Sequence, residues 1–598
     1  MGSALRVATP PSLPVLIFDG DCGFCRFWKT RWQYRSGSLI EYAPYQSADI
    51  AQRFPEIPRD HCARAVQFVE PDGRVSEAAE AIFRLLASIG LRLPFAFYEA
   101  VPGAQTVSEM VYRAVEEHRN VAARLTTMMW GRDPRPPTHA LTRWLFFRLL
   151  SLVYLAAFWS LGTQIIGLVG HDGIIPAGVG DPWLRAVCVA GSVLASLLLT
   201  GLAPVAILPL LWAGYLWLST ITGPFLSFQW DALLLETGLL AIFLAPISIR
   251  DRLRGADDPP RLGVWLMLWL LFRLMLGSGG VKLASGDPTW RDLTALSFHY
   301  ETQPIPTPLA WWAHHLPVWF NRASTAAVLG IELLAPIVML GPRRFRTFAF
   351  AWLAGLQVLI ALTGNYAFFN LLSVALCLFL LDDVVLARVR WFHTEPLWRV
   401  RRLRPAQNAL LIVVTLVTVP VSVLHLTAGL GIEMPGFPIV LPLARVIAPL
   451  RSVNGYGLFA VMTTTRDEII VEGSDDGASW QEYEFRYKPG DLRRAPPWVA
   501  PHQPRLDWQM WFAALSRFGD DTWFQAFCVR LLQGSPDVLR LIDRDPFHGR
   551  PPRSVRGVLY RYHFSDASAR RQGIWWTRER LGQYSPALTL RAANPPAQ

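Results

Sequence analysis

Two cysteines with two residues between them are the first residues in this chain that could do chemistry. Cys22 and Cys25 follow a short apolar run, residues 14–18, whose composition predicts a buried strand. The next segment, residues 26–35, has aromatic residues near helical spacing and predicts a helix. A thiol at a helix N-terminus meets partial positive charge, which favours the thiolate. This order of strand, C-x-x-C and helix predicts a thioredoxin-like domain that exchanges disulfides.

The surroundings of the cysteine pair leave other interpretations open. Asp19 and Asp21 oppose thiolate formation, and they either accept protons or cap the helix. A hydrophobic D-x-D strand also occurs in aspartate phosphotransferases, although Cys and Gly stand here where Thr is usual. A zinc site would need two further ligands, which His61 and Cys62 could supply at an unusual spacing. A degenerate fold with an idle pair is the remaining alternative.

A second group of candidates lies in an apolar segment and the loop after it, residues 262–317. Arg273 is in the middle of the apolar run, the small residues 277–280 predict a break, and Lys282 stands at its end. Charges in a lipid span usually face a cavity, a partner or another helix. A loop of roughly 40 residues is long for a helical bundle, which indicates function. Its candidate residues are Asp287, Trp290, His299, Tyr300, Glu301 and Gln303.

Further polar side chains stand at membrane depth or at its edge. Besides the two basic residues named above, they are Asp231, Glu236, Glu332, Asn365 and Asn370. One interpretation is internal ion pairs that orient helices, such as Glu236 or Glu332 with Arg273. The other interpretation is a polar chamber open to the outer face, and both can hold together.

The composition places these residues in a membrane protein. Of 598 residues 52% are hydrophobic and 17% charged, which is too apolar for an ordinary soluble chain. The 25 tryptophans fit interfacial aromatic belts. The net charge of +11 comes mostly from arginine, often in short loops between apolar runs, which indicates membrane orientation rather than nucleic-acid binding. The six cysteines are too few and too scattered for a disulfide framework.

Apolar runs of about bilayer length predict nine membrane spans. They cover approximately residues 145–169, 184–201, 203–222, 230–249, 262–283, 323–341, 345–363, 366–383 and 407–428. With nine spans, three arginine-rich loops fall on the same face as the N-terminal domain: 250–254, 342–346 and 388–404. By the positive-inside rule that face is cytoplasmic. In a bacterium we therefore expect a multi-pass inner-membrane protein with its C-terminal region and the 284–322 loop outside.

The expected architecture has three domains. Residues 1–135 form a thioredoxin-like α/β domain, residues 140–430 a polytopic all-α transmembrane domain of about nine helices, and residues 450–598 a β-rich α+β domain outside the membrane. A proline-rich linker covers 131–139. Local patterns predict a hairpin at 65–74 and a helix at 76–86 capped by Ser76. In the C-terminal domain they predict strands at 456–464, 468–473, 480–487 and 555–564, and helices at 506–518 and 522–532.

The N-terminal domain resembles the DCC family of predicted thiol-disulfide oxidoreductases, named for its D-x-D-C-x-x-C motif. The resemblance covers about 120 residues, and Asp19, Asp21, Cys22 and Cys25 all fit the motif. It implies that Cys22 is the attacking thiol and Cys25 the resolving one. These four residues are the expected catalytic set.

Residues 140–598 resemble the lipase maturation factor family. The resemblance rests on four pieces: SFQWDALLLETG, the segment from GSGGVKL to WWAHHLP, TGNYAFFNLL and VNGYGLF. It implies a membrane protein that helps lipases reach their active fold; animal members lie in the endoplasmic reticulum and are connected with lumenal redox state.

The function expected from both resemblances is a membrane-bound folding factor for secreted, lipase-like proteins that carries a thiol-disulfide oxidoreductase domain. The expected partners are the lipid bilayer, secreted clients and an unknown redox partner, with no nucleic acid, no metal and no cofactor. One alternative is a membrane enzyme that uses Lys282 as a base, because the Gly-Gly-x-Lys-Leu segment also distantly resembles the vitamin K-dependent carboxylase superfamily. The other is a transporter or receptor without covalent chemistry.

Overall fold

The computed structural model describes residues 5–253, 257–389, 405–434, 436–520 and 522–590. The described residues up to 138, together with 341–346, form one compact unit, and the described residues from 139 to 340 and from 347 on form the other. Two parts of the predicted arginine-rich loops, Arg254 and residues 390–404, lie outside the described residues.

The first unit is built around a four-stranded mixed sheet. Its strands are β1 (Val15–Phe18), β2 (Glu41–Pro44), β3 (Gln67–Val69) and β4 (Val75–Glu77), in the order β2-β1-β3-β4. β1 and β2 run parallel, and the other two pairs are antiparallel. Its helices are α1 (Gly23–Ser36), α2 (Ala48–Arg53), α3 (Arg59–Arg64), α4 (Ala78–Ser88), α5 (Arg92–Ala100), α6 (Ala104–Glu117) and α7 (Arg119–Trp130).

Strand β1 is buried on both faces, which explains its continuous apolar composition. Val15 and Ile17 pack into one hydrophobic cluster, and Leu16 packs into another with Phe68. The predicted hairpin is present as β3 and β4. The helix predicted from residue 76 begins two residues later, because Ser76 pairs with Phe68 in the β3–β4 ladder; the predicted N-cap was therefore wrong.

The second unit begins with a helical region. Its helices are α8 (Ala140–Gly162), α9 (Ile165–Val169), α10 (Asp181–Leu199), α11 (Pro204–Ile221), α12 (Gln229–Leu244), α13 (Arg261–Ala284), α14 (Pro288–Arg291), α15 (Ala295–Thr302), α16 (Pro308–His314), α17 (Val318–Val338), α18 (Arg343–Thr363), α19 (Phe369–Cys377), α20 (Asp383–Leu386), α21 (Pro405–Gly429) and α22 (Phe437–Ile447). The first four residues of α18 belong to the other unit. Short 3₁₀ turns cover Gly223–Leu226, Leu378–Leu380 and Ala448–Leu450.

Six of these helices are long and apolar enough to cross a membrane: α8, α10, α11, α13, α18 and α21. Each of the nine predicted spans contains a helix, but nine crossings are not confirmed. Helix α12 has 16 residues and α19 has nine, so both are short for a bilayer. Helix α17 is long, but Asn321, Arg322 and Glu332 interrupt its apolar sequence.

Helix α13 does not break at its small residues, contrary to the prediction, but continues to Ala284. The glycines instead allow close packing. A Cβ atom on Gly277 would lie 2.6 Å from the carbonyl oxygen of Tyr456, and one on Gly279 would lie 2.9 Å from Glu332 Cβ. The sequence signal was therefore a helix contact surface rather than a break.

The segment 284–322 is not the polar, solvent-exposed loop that the sequence predicts. It folds into α14, α15 and α16, and Trp290, Glu301, Gln303 and Trp311 are buried. The C-terminal region covers it: the indole N–H of Trp311 donates to the carbonyl of Ser565 at 2.9 Å.

The C-terminal region adds an antiparallel sheet and short helices. The strands are β5 (Arg466–Ser474), β6 (Gln481–Glu482), β7 (Ser554–Phe564) and β8 (Trp576–Gln583), in the order β6-β5-β7-β8. The helices are α23 (Arg505–Ala513), α24 (Thr522–Leu532), α25 (Pro536–Leu539) and α26 (Ala567–Arg571). The strand predicted at 456–464 does not form, because this segment packs against α13 and α12; a Cβ on Gly457 would lie 2.7 Å from Val281.

Four connections of the helical region meet the C-terminal region directly. They follow α8, α11, α13 and α18 in the chain. The contacts are Arg530 to the Gly173 carbonyl (2.8 Å), Arg505 to the Phe225 carbonyl (2.6 Å), Arg466 to the Glu301 carbonyl (2.7 Å), and the Val499 amide to Asn365 Oδ1 (2.8 Å).

The connections after α10, α12 and α19 meet one another or the start of α8. The contacts are the His139 amide to Asp258 (2.7 Å), Arg143 to Asp251 (2.9 Å), the Ala140 amide to Asp383 (2.9 Å), and the Ala203 amide to the Ile249 carbonyl (2.7 Å). The connections after α8, α11, α13 and α18 therefore contact the C-terminal region, whereas those after α10, α12 and α19 contact one another or the start of α8.

Candidate functional site

Cys22 and Cys25 lie at the start of α1, as predicted. Cys22 is the N-cap residue, and its Sγ accepts a hydrogen bond from the Cys25 amide at 3.3 Å. The strand β1 ends four residues earlier, so the turn between strand and helix presents Cys22 at the helix N-terminus. Both thiols are free and partly exposed.

The two aspartates of the motif are held by other side chains. Gln46 donates to Asp19 Oδ1 at 2.8 Å and to Asp21 Oδ2 at 3.3 Å. Arg119 donates to Asp19 Oδ2 at 3.1 Å, which places a positive charge beside the carboxylate. The atom that caps α1 is Cys22 Sγ, so capping by the aspartates was a wrong interpretation.

A cavity of about 420 Å³ opens beside Cys25. Its walls are mainly apolar, with Trp28, Trp32 and Phe83 among them, and Asp19 and Arg119 lie at its polar side. Burial raises the pKa of the Cys25 thiol, and the hydrogen bond from this thiol to Cys22 raises it further. Cys25 is therefore protonated at neutral pH.

His61 and Cys62 do not complete a metal site. His61 Nδ1 lies 3.4 Å from Glu77, and Cys62 is buried. Across the ranges that the structure describes, no group of three or more His, Cys, Asp or Glu side chains could hold a metal ion.

The ion pair predicted between Glu236 and Arg273 is present and buried. The second oxygen of Glu236 accepts hydrogen bonds from the hydroxyl of Tyr456 at 2.6 Å and from the amide of Asn454 at 3.0 Å. Arg273 also donates to the Asn454 carbonyl at 3.1 Å. The pair thus fixes the segment after the helical region against α12 and α13.

Glu332 pairs with Lys282 rather than with Arg273. The ammonium donates to the two Glu332 oxygens at 2.8 and 3.0 Å and to the Ser278 carbonyl at 3.1 Å. It also lies over the ring of Trp290, 5.2 Å from the centroid. All three ammonium protons have acceptors, and both partners are buried.

His299 belongs to a hydrogen-bond chain at the edge of the helical region. Its Nε2 lies 3.0 Å from the hydroxyl of Tyr366, which donates to Gln303 Oε1 at 2.9 Å. Gln303 Nε2 donates to the carbonyls of Tyr300 and Thr363, which fixes the orientation of the amide. Burial and the charge of Lys282 lower the pKa of His299 to about 4, so the ring is neutral at physiological pH.

Asp231 binds a residue far along the chain. Arg505 forms two hydrogen bonds with its carboxylate, at 2.8 and 3.0 Å, and Tyr215 donates to it at 2.5 Å. All three side chains are fully or almost fully buried. This cluster joins α11, α12 and α23.

The other predicted residues hold the backbone in place. Asp287 caps α14 and also accepts from the Met462 amide at 2.5 Å. Glu301 accepts from the Phe564 amide at 2.6 Å. Asn370 donates to Gln357 at 3.0 Å, and Asn365 binds the 497–500 segment. The candidates therefore form several local networks rather than one polar chamber.

Comparison with known proteins decides the family. The family model "Lipase maturation factor transmembrane domain" matches residues 141–180 and 177–388, and "Lipase maturation factor C-terminal domain" matches 452–586. The human protein "Lipase maturation factor 2" is 36% identical, with 75% of this chain and 83% of that protein aligned. The chain belongs to the lipase maturation factor family.

Two further findings complete the comparison. Human "Lipase maturation factor 1" is 33% identical, with 78% of this chain and 92% of that protein aligned. Residues 16–125 match the family model "DCC1-like thiol-disulfide oxidoreductase", so this member of the lipase maturation factor family carries both kinds of domain. No solved structure matches the chain.

The family pieces quoted from the sequence correspond to the buried networks. SFQWDALLLETG supplies Asp231 and Glu236, GSGGVKL supplies Lys282, and TGNYAFFNLL supplies Asn365 and Tyr366. Sequence reasoning did not select Arg505, Tyr366 or Arg466. In the sequence, Arg505 stands out only as a cation within an aromatic helix. Its partner Asp231 could not be predicted, because it lies 274 residues away.

Proposed function

We propose that this chain matures secreted, lipase-like proteins at a membrane and that its N-terminal domain exchanges disulfides through Cys22 and Cys25. The observation that carries the proposal is a C-x-x-C pair at a helix N-terminus in a chain that belongs to the lipase maturation factor family. The sheet order of the first unit supports a thioredoxin-like fold for the domain.

The attacking thiol in this proposal is Cys22. Its thiolate attacks one sulfur of a partner disulfide, a mixed disulfide forms, and the other partner sulfur leaves as a thiolate. Cys25 then loses its proton and attacks Cys22 Sγ, which releases the second partner sulfur. Two electrons pass from the domain to the partner, and the reverse sequence oxidises a partner dithiol. The raised pKa of Cys25 supports this order, because a protonated resolving thiol does not compete for the first attack.

The cavity beside Cys25 supports binding of an apolar side chain next to the partner's cysteine. Trp28 and Trp32 provide large apolar contacts, whereas Arg119 and Asp19 provide hydrogen bonds at the polar side. The partner's peptide would therefore carry an aromatic or aliphatic residue close to the reacting sulfur.

For the membrane topology we propose nine crossing segments with the C-terminal region on the outer face of a bacterial inner membrane. The four connections that contact the C-terminal region support this number, because they follow the first, third, fifth and seventh proposed spans and loops on one side of a membrane must follow odd-numbered spans. The arginine-rich 250–252 segment belongs to the connections that contact one another or the start of α8, which supports a cytoplasmic location for it.

With this orientation the N-terminal dithiol and the outer domain are separated by the bilayer. The dithiol then acts on an outer client only through a membrane redox partner, or it serves a separate reducing role on the inner side. Clients of the outer face would meet the C-terminal region.

The proposal is tested by restoring a deletion strain with variants of this chain. We expect the specific activity of a secreted lipase to fall in the deletion strain while the amount of secreted lipase is kept. Cys22→Ser should fail to restore that activity, because serine can still cap α1 but cannot form a disulfide. Cys528→Ala, a change of a buried cysteine in the other unit, is the control and should restore it. Normal activity of every secreted protein in the deletion strain would sink the proposal.

The alternative enzyme with Lys282 as base receives no support from the site. The Lys282 nitrogen forms three hydrogen bonds, to both Glu332 oxygens and to the Ser278 carbonyl, so none of these hydrogens is free for a substrate. A structural ion pair accounts for its burial.

A further inference from the structure

A cavity of about 420 Å³ lies against α13, α17 and α18 and is distinct from the cavity beside the thiols. Its volume is within the range of small-molecule sites, about 300–1,000 Å³. The walls are mostly aliphatic and aromatic. They include Leu316, Phe320, Val328, Ile331, Leu359 and Ile360.

Large apolar residues are exposed around this cavity. Leu316, Phe320, Leu359 and Leu362 line it and are each about two-fifths to three-fifths exposed, at 39%, 41%, 62% and 41%. Helix α18 is one of the helices apolar enough to cross a membrane. Leu359 and Leu362 lie on this helix, where exposed leucines are stable next to acyl chains, so this side of the cavity would face molecules dissolved in the bilayer.

The polar side of the cavity includes a buried hydrogen-bonding atom without a partner among the described residues. Lys282 and Glu332 line it, but their polar atoms bind each other and the Ser278 carbonyl. His299 also lines it, and its Nδ1 is sealed from solvent without a hydrogen-bond partner among the described residues.

The hydrogen-bond chain determines the character of this atom. The single proton of the Tyr366 hydroxyl goes to Gln303 Oε1, so His299 Nε2 must be the donor to Tyr366. A neutral imidazole with a proton on Nε2 has a lone pair on Nδ1. Burial keeps the ring neutral, with a pKa of about 4. Nδ1 is therefore an acceptor without a partner among the described residues, on a side chain that lines an apolar cavity.

We propose that this cavity binds a single-chain lipid with a hydroxyl head group, whose hydroxyl donates a hydrogen bond to His299 Nδ1 while its tail lies between α17 and α18. A fatty acid is the wrong ligand, because its ionised head brings no proton and the Lys282 ammonium has none to offer. The proposal is independent of the disulfide exchange, since the thiols lie in the other unit.

The test measures binding of radiolabelled 1-monooleoylglycerol to the purified full chain in detergent. We expect saturable binding of one molecule per chain. Methyl oleate, which has the same tail but no hydroxyl proton, should compete roughly tenfold more weakly, as expected for one lost hydrogen bond. His299→Phe should weaken binding of monooleoylglycerol by a similar factor and should abolish the preference over methyl oleate.

A second pair of variants tests the location of the tail. Ala327→Trp places an indole in the cavity and should abolish binding, whereas Ala326→Trp changes an exposed neighbour outside the cavity and should leave it unchanged. Both positions are exposed, so both variants should elute and unfold like the wild type. Absence of saturable binding, or binding unaffected by Ala327→Trp, would overturn the site; equal competition by methyl oleate would overturn the role of His299.

Discussion

The charged residues of the helical region form buried pairs, and each pair connects elements that are distant in sequence. Lys282 and Glu332 join α13 to α17, while Arg273 and Glu236 join α13 to α12. A buried ion gains little net stability from its partner but costs much when the partner is removed. The pairs therefore act mainly by specifying which helices pack together.

A double-mutant cycle on Lys282 and Glu332 checks this structural role. Lys282→Met alone leaves the Glu332 carboxylate buried and should lower the free energy of unfolding by about 3–5 kcal/mol. The double variant Lys282→Met/Glu332→Leu should recover most of that loss. Thermal unfolding of the purified protein in detergent measures both. A single variant as stable as the wild type would contradict the role in packing.

The depressed pKa of His299 predicts a stability change with pH. Its pKa falls from 6.5 to about 4 on folding, so the unfolded chain binds a proton at a higher pH than the folded chain. The contribution of the neutral His299 ring to the free energy of unfolding is fully present above pH 6.5. It is lost as the pH falls towards 4, by about 3 kcal/mol at most. His299→Gln, which keeps a donor for Tyr366, should reduce the slope of unfolding free energy against pH in this window. An unchanged slope would argue against a buried neutral ring.

At the scale of elements, the glycines of α13 determine how closely other segments approach. Gly277 meets the backbone of residue 456, Gly279 meets α17, and Gly280 meets Leu430, where a Cβ would lie only 2.4 Å from the leucine side chain. Three different segments therefore contact residues 277–280 of α13. Larger residues would separate all three.

Gly277→Ala should destabilise the protein, because the added Cβ would lie 2.6 Å from a backbone oxygen that cannot move by rotation of a side chain. We expect a loss of about 1–3 kcal/mol. Gly355→Ala on α18 is the matched control: nothing lies within 4 Å of its Cβ, so its melting temperature should stay unchanged or rise. Equal effects of the two changes would contradict the packing explanation.

At the scale of the whole molecule, the C-terminal region and the helical region form one compact unit. The joining contacts include the buried pair of Arg505 and Asp231 and the contacts of Arg466 with the α15–α16 connection. We therefore expect the two regions to unfold together, although the family models divide them.

Arg505→Met tests this cooperation. The change leaves Asp231 buried without its cation, so the C-terminal region should loosen and limited proteolysis should cleave the chain faster between residues 430 and 465. Arg540→Met is the control, since Arg540 is 69% exposed and its pair with Asp537 is at the surface. Equal cleavage rates in the two variants would indicate that the regions are held by other contacts.

The side of the membrane that holds the dithiol is tested with an impermeant maleimide on whole and lysed cells. Cys22 and Cys25 are the partly exposed cysteines, and the other four are buried, so labelling reports on the pair. We expect protection until lysis, which places the dithiol inside. Labelling of intact cells would shift the number of crossings by one and would favour direct oxidation of secreted clients. A variant with both residues changed to serine gives the background.

Local sequence patterns were sufficient to predict the short-range features of this protein. The apolar strand before Cys22, the helix after it and the hairpin at β3 and β4 depend on neighbouring residues, and their positions follow from local patterns. The two family resemblances and the pair between Glu236 and Arg273 were also predicted correctly, because long motifs and rare intramembrane charges are visible in the chain.

Which distant residues meet depends on the packing of the folded chain and could not be predicted from local patterns. The partner of Asp231 is Arg505, which belongs to the C-terminal region that packs on the helices. Glu332 binds Lys282 rather than Arg273, because α17 packs against the end of α13. The covering C-terminal region turned the predicted polar loop into α14–α16 with a buried Trp290, and packing against α12 and α13 kept residues 456–464 from pairing as a strand. Local composition cannot reveal that Trp290 is buried, because the residues that cover it lie more than 150 positions away in the sequence.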